Sequence, residues 1–343
     1  MKADAAGRSV LGTLFLLLLL ALGAGGYFLW QDWSRFVDAP LRASQESVLD
    51  VPPGSSFAAI RRQIRQAGLS DAPDLYWRAL AQRLGVASRL HAGEYAVPAG
   101  STPRQLLQRM AAGDVIQHRF TIVEGWTFRQ LRAELARESG LRQTLATLSD
   151  AEIMRELGAG ADHAEGRFLP ETYTWTRGNS DLDLLRRAHA AMTKALEQVW
   201  AARAPDLPLD SPYQALILAS IVERETGKAD ERPAIAGVFA RRLRLGMKLQ
   251  TDPTVIYGLG SGFDGNLRRR DLETDTPYNT YTRTGLPPTP IALPGLAALK
   301  AATQPAPGAA LYFVARGDGS HEFSASLDAH NRAVARYQLK GGQ

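Results

Sequence analysis

The sequence predicts an α+β protein in three parts: a single N-terminal transmembrane helix, a small α+β domain and a larger mixed α+β domain. Three observations carry this reading. An uncharged apolar run, Val10 to Trp30, has the length needed to cross a bilayer. A motif of strand end, glycine turn, Ser or Thr cap and helix recurs between Val51 and Leu135. Beyond it, helix-period segments alternate with Gly- and Pro-rich punctuation, and two short strand-like runs precede a last helix. With 343 residues, 45% of them hydrophobic, there is enough chain to bury the cores of about two domains.

Lys2 and Arg8 precede the apolar run, while Tyr27, Trp30 and Trp33 cluster at its far end like an interfacial belt. The positive-inside rule makes 1–9 a cytoplasmic N-terminus and 10–30 the anchor, with 31–46 a juxtamembrane linker and the remainder outside. A cleaved signal peptide is the rival reading, because Ala21 to Gly26 is rich in small residues. The apolar run continues through Tyr27-Phe28-Leu29-Trp30, past any such site, which favours an uncleaved anchor. The chain has no cysteine, which excludes disulfides, thiolate metal sites and a cysteine-anchored lipoprotein. A formal charge of +5 is spread over helices and short runs such as Arg268-Arg269-Arg270, most of it as solvated helix faces. Outside a membrane, such a surface would meet anionic polymer or lipid rather than nucleic acid.

The small domain is expected at 47–117. Val51-Pro-Pro-Gly-Ser-Ser leads into a helix carrying Ile60 and Ile64, and Val97-Pro-Ala-Gly-Ser-Thr into one carrying Leu106 and Met110. A third copy, Val123-Glu-Gly-Trp-Thr, leads into a helix carrying Leu131 and Leu135. Ser56, Thr102 and Thr127 are the predicted caps. Their unequal spacing argues against a solenoid, which needs a fixed period. Leu75 to Leu84 reads as another amphipathic helix and Gly93 to Val97 as a strand. The resulting βααβ order resembles LysM-like glycan-binding domains.

The larger domain is expected at 118–340. Ala164 to Trp175 is rich in aromatics, which form either a platform for sugar rings or a core strand pair. Ser180 is placed to cap a long helix with Leu185, Met192, Leu196 and Val199 on one side. Ser211, Pro212 and Gln214 form the start signal of the next helix, and Gly227 its left-handed stop. A helix from about Asp230 carries Ile235, Val238, Phe239 and Leu243 inward and Arg241, Arg242 and Arg244 outward, and Gly246 ends it. Leu249 to Tyr257 then reads as a polar loop entering a strand, since Asp252 before Pro253 avoids the helical region. The proline-rich stretch Gly285 to Gly295 excludes regular structure and suits a stiff cleft wall. Leu296 to Ala302 is a short helix, Leu311 to Val314 and the run through His321 and Phe323 are strands, and a last helix starts near Ser326.

The helix starting at Ser211 ends on Glu223-Arg224-Glu225, although carboxylates are rarely buried without a partner. At roughly 100° per residue, positions two apart face nearly opposite sides. Glu225 continues the apolar line of Leu218, Ile221 and Val222, whereas Glu223 lies with Ser220 and is expected to reach a groove or solvent. Desolvation and the negative helix end would raise the pKa of Glu225, as a general acid requires. The competing reading is a salt bridge from either glutamate to Arg224, Lys228 or Arg232.

Several runs together resemble the YceG-like family: Ile221-Val-Glu-Arg-Glu-Thr, Leu249-Gln-Thr-Asp-Pro-Thr-Val-Ile-Tyr-Gly, Pro277-Tyr-Asn-Thr-Tyr, Gly285-Leu-Pro-Pro and His330-Asn331. Glu165-Gly-Arg-Phe-Leu-Pro-Glu-Thr-Tyr fits the same pattern. Leu293 departs from it, standing where the family usually carries a small polar residue. The resemblance implies an anchor, a LysM-like segment and a catalytic domain in that order. It further implies an inner-membrane, periplasm-facing lyase that cuts peptidoglycan strands internally, without water, to leave 1,6-anhydroMurNAc ends. The catalytic role falls on Glu225. Gln250, Thr251, Asp252, Tyr278, Asn279 and Tyr281 are the candidates for holding sugar, through amides, hydroxyls and aromatic faces. Asp252 has a turn cap as its alternative role, and Asn279 the satisfaction of loop backbone. Glu223, His330 and Asn331 are supporting candidates, the last two by tying the final helix to the strand pair. The implied partners are glycan strands and, beside them, peptidoglycan synthases (penicillin-binding proteins).

No cofactor is expected, and the six histidines show no HExxH or similar metal spacing. A non-catalytic glycan-binding scaffold is the alternative function. A pyridoxal-phosphate lyase ranks third, because no glycine-rich phosphate loop precedes a suitable helix.

Overall fold

The computed structural model describes residues 4–44, 47–160 and 162–339. Lys2 and Lys340, at the ends of the expected segments, lie outside the described residues. Helix α1 runs from Asp4 to Asp38, and its Gly12–Asp38 portion is long and apolar enough to cross a membrane. Residues 31–38, expected as linker, are its last turns: Val37 is buried, Asp32 accepts from the Tyr76 hydroxyl at 2.7 Å, and Trp33 donates its indole N–H to Tyr76 O. Packing against a folded neighbour keeps this stretch helical.

The chain forms two compact units. The first runs to His118 and takes back Thr176–Gly178; the second holds Arg119–Trp175 and everything from Asn179. In the first unit, β1 (Ser47–Val51) is followed by α2 (Phe57–Gln66), α3 (Asp74–Arg83), β2 (Gly93–Val97) and α4 (Pro103–Ala112). β1 and β2 pair antiparallel with Leu49 opposite Tyr95, so β1, α2, α3 and β2 follow the expected βααβ order. Ser56 and Thr102 cap α2 and α4 through their side chains as expected, and Thr102 forms a full capping box with Gln105. Leu49, Ile60, Ile64, Trp77, Tyr95 and Met110 share the core.

From Arg119, within β3 (His118–Thr121), the second unit continues with α5 (Phe128–Leu135), α6 (Asp150–Glu156) and β4 (Thr172–Trp175), with β3 and β4 paired. Thr127 caps α5 with a capping box, and Phe168, Tyr173 and Trp175 are buried in a core shared with Leu131 and Leu184. The aromatics of this segment are therefore core residues, not a sugar platform. The long α7 (Asp181–Ala201) starts at the capping box of Ser180 and buries Leu185, Met192, Leu196 and Val199. Helices α8 (Pro212–Glu225), α9 (Arg232–Arg244), α10 (Asp252–Leu259), α11 (Arg269–Glu273) and α12 (Leu296–Thr303) follow, then β5 (Tyr312–Ala315), β6 (His321–Ser324) and α13 (Leu327–Val334). β5 and β6 form an antiparallel hairpin with Phe313 opposite Phe323. A second core surrounds α8, to which α7, α9 and α12 contribute. Leu293 is fully buried, and its backbone bonds Gly125 N–H and Trp126 O, so no polar role falls to it.

Candidate active site

The site is organised by the end of α8. Every residue from Ala215 to Val222 is buried, so this helix cannot shift without opening the core. Ser211 caps it by accepting from Gln214 N–H; the Gln214 side chain turns back to Asp210 N–H, so the box is not closed. Ser220, mid-helix, donates to Ile217 O at 2.7 Å and accepts Ile291 N–H at 3.0 Å, which pins the proline-rich segment onto α8. The helix stops because Thr226 is extended, at φ −145° and ψ 136°, and not through a left-handed Gly227. Glu225 is thus its last helical residue.

The two glutamates face different sides, and it is Glu223 whose surroundings differ from expectation, taking the salt bridge to Arg232 that was the competing reading. Glu223, expected at a groove, has a side chain only 4% exposed; Arg232 donates to it at 2.9 Å and Gly295 N–H at 2.9 Å. Helical spacing separates the two acids in angle but does not say which side distant segments will cover. Here residues near Gly295 and the start of α9 close over Glu223. Glu225 instead opens onto a cleft of 590 Å³.

One wall of that cleft is the start of α10. The expected loop into a strand is a helix, with Pro253 in its first turn, where the missing N–H has no helical partner to lose. Thr251 holds the cap position, yet its hydroxyl donates to the Glu225 carboxylate instead of capping. Its backbone N–H donates to Thr280 Oγ1 at 3.1 Å. Gln250 has φ +52°, a left-handed conformation that glycine adopts far more readily. Two bonds hold it there: its N–H to Thr280 O at 3.1 Å, and Arg242 donating to its Oε1 at 3.1 Å.

Arg242, expected on the solvent face of α9, is 7% exposed. It donates to Leu311 O at 2.7 Å, Leu249 O at 2.9 Å and Lys248 O at 3.0 Å, and lies over the Tyr312 ring at 5.0 Å. One guanidinium thereby ties the α10 wall to the hairpin wall. Its burial was hidden from sequence because these carbonyls belong to loops that only the tertiary fold brings together. His321, on β6, faces the cleft with Nδ1 2.6 Å from Glu231 Oε2.

Burial pushes the Glu225 carboxyl up to about 7, and the negative charge of nearby Asp252 adds to this; the Thr251 hydroxyl and His321 pull in the opposite direction. Asp252 is itself exposed and accepts the Tyr281 hydroxyl at 2.5 Å. Burial and Asp252 together raise the pKa of that phenol, so it serves as a donor.

Glu225, Gln250, Thr251, Asp252, Tyr281, His330 and Asn331 all line the one cleft, His330 stacking on Tyr312 at 5.2 Å. Tyr278 and Asn279 do not. The Tyr278 hydroxyl bonds Thr289 at 2.9 Å and its ring packs edge-on against Tyr257. Asn279 is 1% exposed, donates to the carbonyls of Asp271, Leu272 and Thr274, and accepts Tyr281 N–H. It shapes the loop that presents Tyr281, because a buried amide must satisfy its own polar groups first. Arg242, His321 and Tyr312 join the cleft unforeseen. Among the described residues, no three His, Asp or Glu side chains group closely enough to hold a metal ion.

Comparison with known proteins places the chain among relatives. The model of the YceG-like family matches residues 49–336. An endolytic murein transglycosylase of Bacillus subtilis is 30% identical over 306 residues, covering 84% of each chain. One from Streptococcus pneumoniae is 27% identical, covering 94% of this chain and 64% of its own length. The 2.6 Å crystal structure of a yceG-like protein from Listeria monocytogenes superposes with a TM-score of 0.54 at 28% identity, covering 84% of this chain and 99% of the other. The chain belongs to the YceG-like family.

Proposed function

We propose that this chain is a lytic transglycosylase, a lyase acting on peptidoglycan, with Glu225 as its acid and base. The observation carrying this reading is a carboxyl at the end of a helix whose middle, Ala215 to Val222, is buried, open to a cleft, with its pKa raised to about 7 by burial. The curated relatives named endolytic murein transglycosylases support the substrate class.

In the proposed reaction, protonated Glu225 donates to the oxygen of the MurNAc–GlcNAc β-1,4 bond. The C1–O bond breaks, and GlcNAc leaves with a free 4-hydroxyl. The carboxylate then takes the proton from the MurNAc C6 hydroxyl as its oxygen bonds C1, closing the 1,6-anhydro ring. Proton and electron pairs balance without water, and Glu225 ends as it began. Because the substrate supplies the nucleophile, a second carboxylate flanking the bond is unnecessary, unlike in most glycosidases. Tyr281 and Asp252 hold sugar hydroxyls, and Gln250 offers its exposed amide N–H₂. Helix α1 anchors the chain in the inner membrane, and the βααβ unit grips glycan in the LysM manner. Cutting within strands near the membrane would end nascent strand growth beside the synthases.

Digestion of peptidoglycan in ¹⁸O-labelled water, read by mass spectrometry, tests the chemistry. The expected products are anhydro-ended fragments free of ¹⁸O; reducing ends carrying one ¹⁸O would identify a hydrolase and overturn the reading.

The first proton transfer also sets a pH dependence. The acid must be protonated, so kcat/KM is expected to fall about tenfold per pH unit above 7. Thr251→Val removes a hydroxyl that stabilises the carboxylate form. Its alkaline limb is therefore expected to move to higher pH, measurable in a full pH–rate profile. An unmoved limb would separate that limb from Glu225.

A further inference from the structure

A second cavity, of 540 Å³, lies within the second unit on the other side of the elements that build the catalytic cleft. Arg224 lines it while its neighbour Glu225 lines the cleft. Helix α10 likewise gives Asp252 to the cleft and Ile256 and Tyr257 to this cavity. At 1.5 Å rise per residue, Asp252 and Ile256 are about 6 Å apart along that helix. A branched ligand on Glu225 therefore needs only a short arm to reach across.

The cavity has a built polar centre that the transglycosylase mechanism leaves unused. Glu165 is 3% exposed; its two oxygens accept Phe128 N–H at 2.9 Å and the Tyr257 hydroxyl at 3.1 Å. Gly166 makes that turn possible: at φ +80°, a Cβ there would stand 2.6 Å from Pro290 Cβ. Arg129 and Arg224 stand on the same wall. Arg224 donates to Gly125 O at 3.3 Å, and neither guanidinium forms an ion pair among the described residues. Ile256 and Phe263 supply apolar surface. Asp150 also lines the cavity but is already ion-paired to Arg132, so two unpaired guanidiniums beside apolar side chains and one buried acceptor match a short anionic peptide better than a neutral sugar.

We propose that this cavity receives the stem peptide borne by a MurNAc residue near the cleaved bond. Arg129 and Arg224 pair with its carboxylates, Ile256 and Phe263 take its methyl groups, and Glu165 accepts a peptide N–H. The assignment rests on the peptidoglycan reading above and specifies which part of that polymer is recognised away from the reacting sugar.

The test uses the full chain in detergent carrying Glu225→Gln, which stops turnover. Calorimetric titration compares a peptide-bearing glycan oligomer with the same oligomer stripped by an amidase. The peptide-bearing form is expected to bind at least tenfold more tightly. Arg129→Ala with Arg224→Ala should erase that gain and leave the stripped oligomer's affinity unchanged; both side chains are exposed, so the fold is retained. Equal affinities in the parent, a double variant that keeps the gain, or one that weakens both oligomers alike would each overturn the proposal. Binding of neither oligomer by the parent would instead bring down the peptidoglycan reading, and this assignment with it.

Discussion

Glu225→Gln is expected to lower release of anhydro-ended fragments by about 10³-fold, in the range of lost general acid–base catalysis. Glutamine keeps the size of the side chain and its acceptor for the Thr251 hydroxyl, but can neither give nor take the transferred proton. The same variant should gain stability in one pH window only. The folded carboxyl, at about 7, lies above the ordinary value of 4.5. Between these values the native chain retains a proton that the unfolded chain has released, so the wild type loses stability as pH rises. The loss is complete above pH 7 and worth about 3 kcal/mol, at 1.36 kcal/mol per pH unit. Thermal unfolding should therefore show the variant and the wild type alike at pH 4 and the variant more stable at pH 8. A variant that lost activity and also melted earlier at pH 8 would mark Glu225 as a structural residue.

Arg232→Ala is expected to be the most destabilising single change in the second unit. Its side chain is 9% exposed and pairs with Glu223, itself 4% exposed, and with Glu124 at 3.3 Å. Removing it strands a buried carboxylate, which costs about 3–5 kcal/mol. For a unit of this size, that lowers the melting temperature by roughly 6–20 °C. Glu223→Gln should cost less, because the amide oxygen can still accept from one of the two donors, Gly295 N–H or Arg232, and no charge is left stranded. It should keep at least part of the activity. A melting temperature unchanged in Arg232→Ala would refute the structural role given to the pair.

These two predictions also mark how far the sequence could be read. Caps at Ser56, Thr102, Thr127, Ser180 and Ser211 were legible because each is completed within three residues. The acidic end of α8 was legible for the same reason: an apolar helix ending in Glu-Arg-Glu is anomalous locally. What covered each acid was not, since Gly295 lies 72 residues from Glu223. Asp252-Pro253 is compatible both with a turn and with a first helical turn, and the cleft wall that supports α10 decides between them. Arg242 looked solvent-facing by period, and three carbonyls from two loops, Lys248 and Leu249 in one and Leu311 in the other, turned it inward. Glu165 gave no local signal, because its partner Tyr257 is 92 residues away. Asn279 was placed on the right loop but on its structural side.

The docking of α1 on its own unit bears on reach. If Trp30 marks the edge of the bilayer, residues 31–38 continue as helix for about 12 Å along the side of the first unit. Asp38 is ion-paired to Arg104, Trp33 and Asp32 are bonded to Tyr76, and Val37 is buried. The attachment is a post and not a leash: the first unit cannot drift outward on a flexible tether. Any ligand held by this unit would be held at one altitude above the lipid, set by the length of the post.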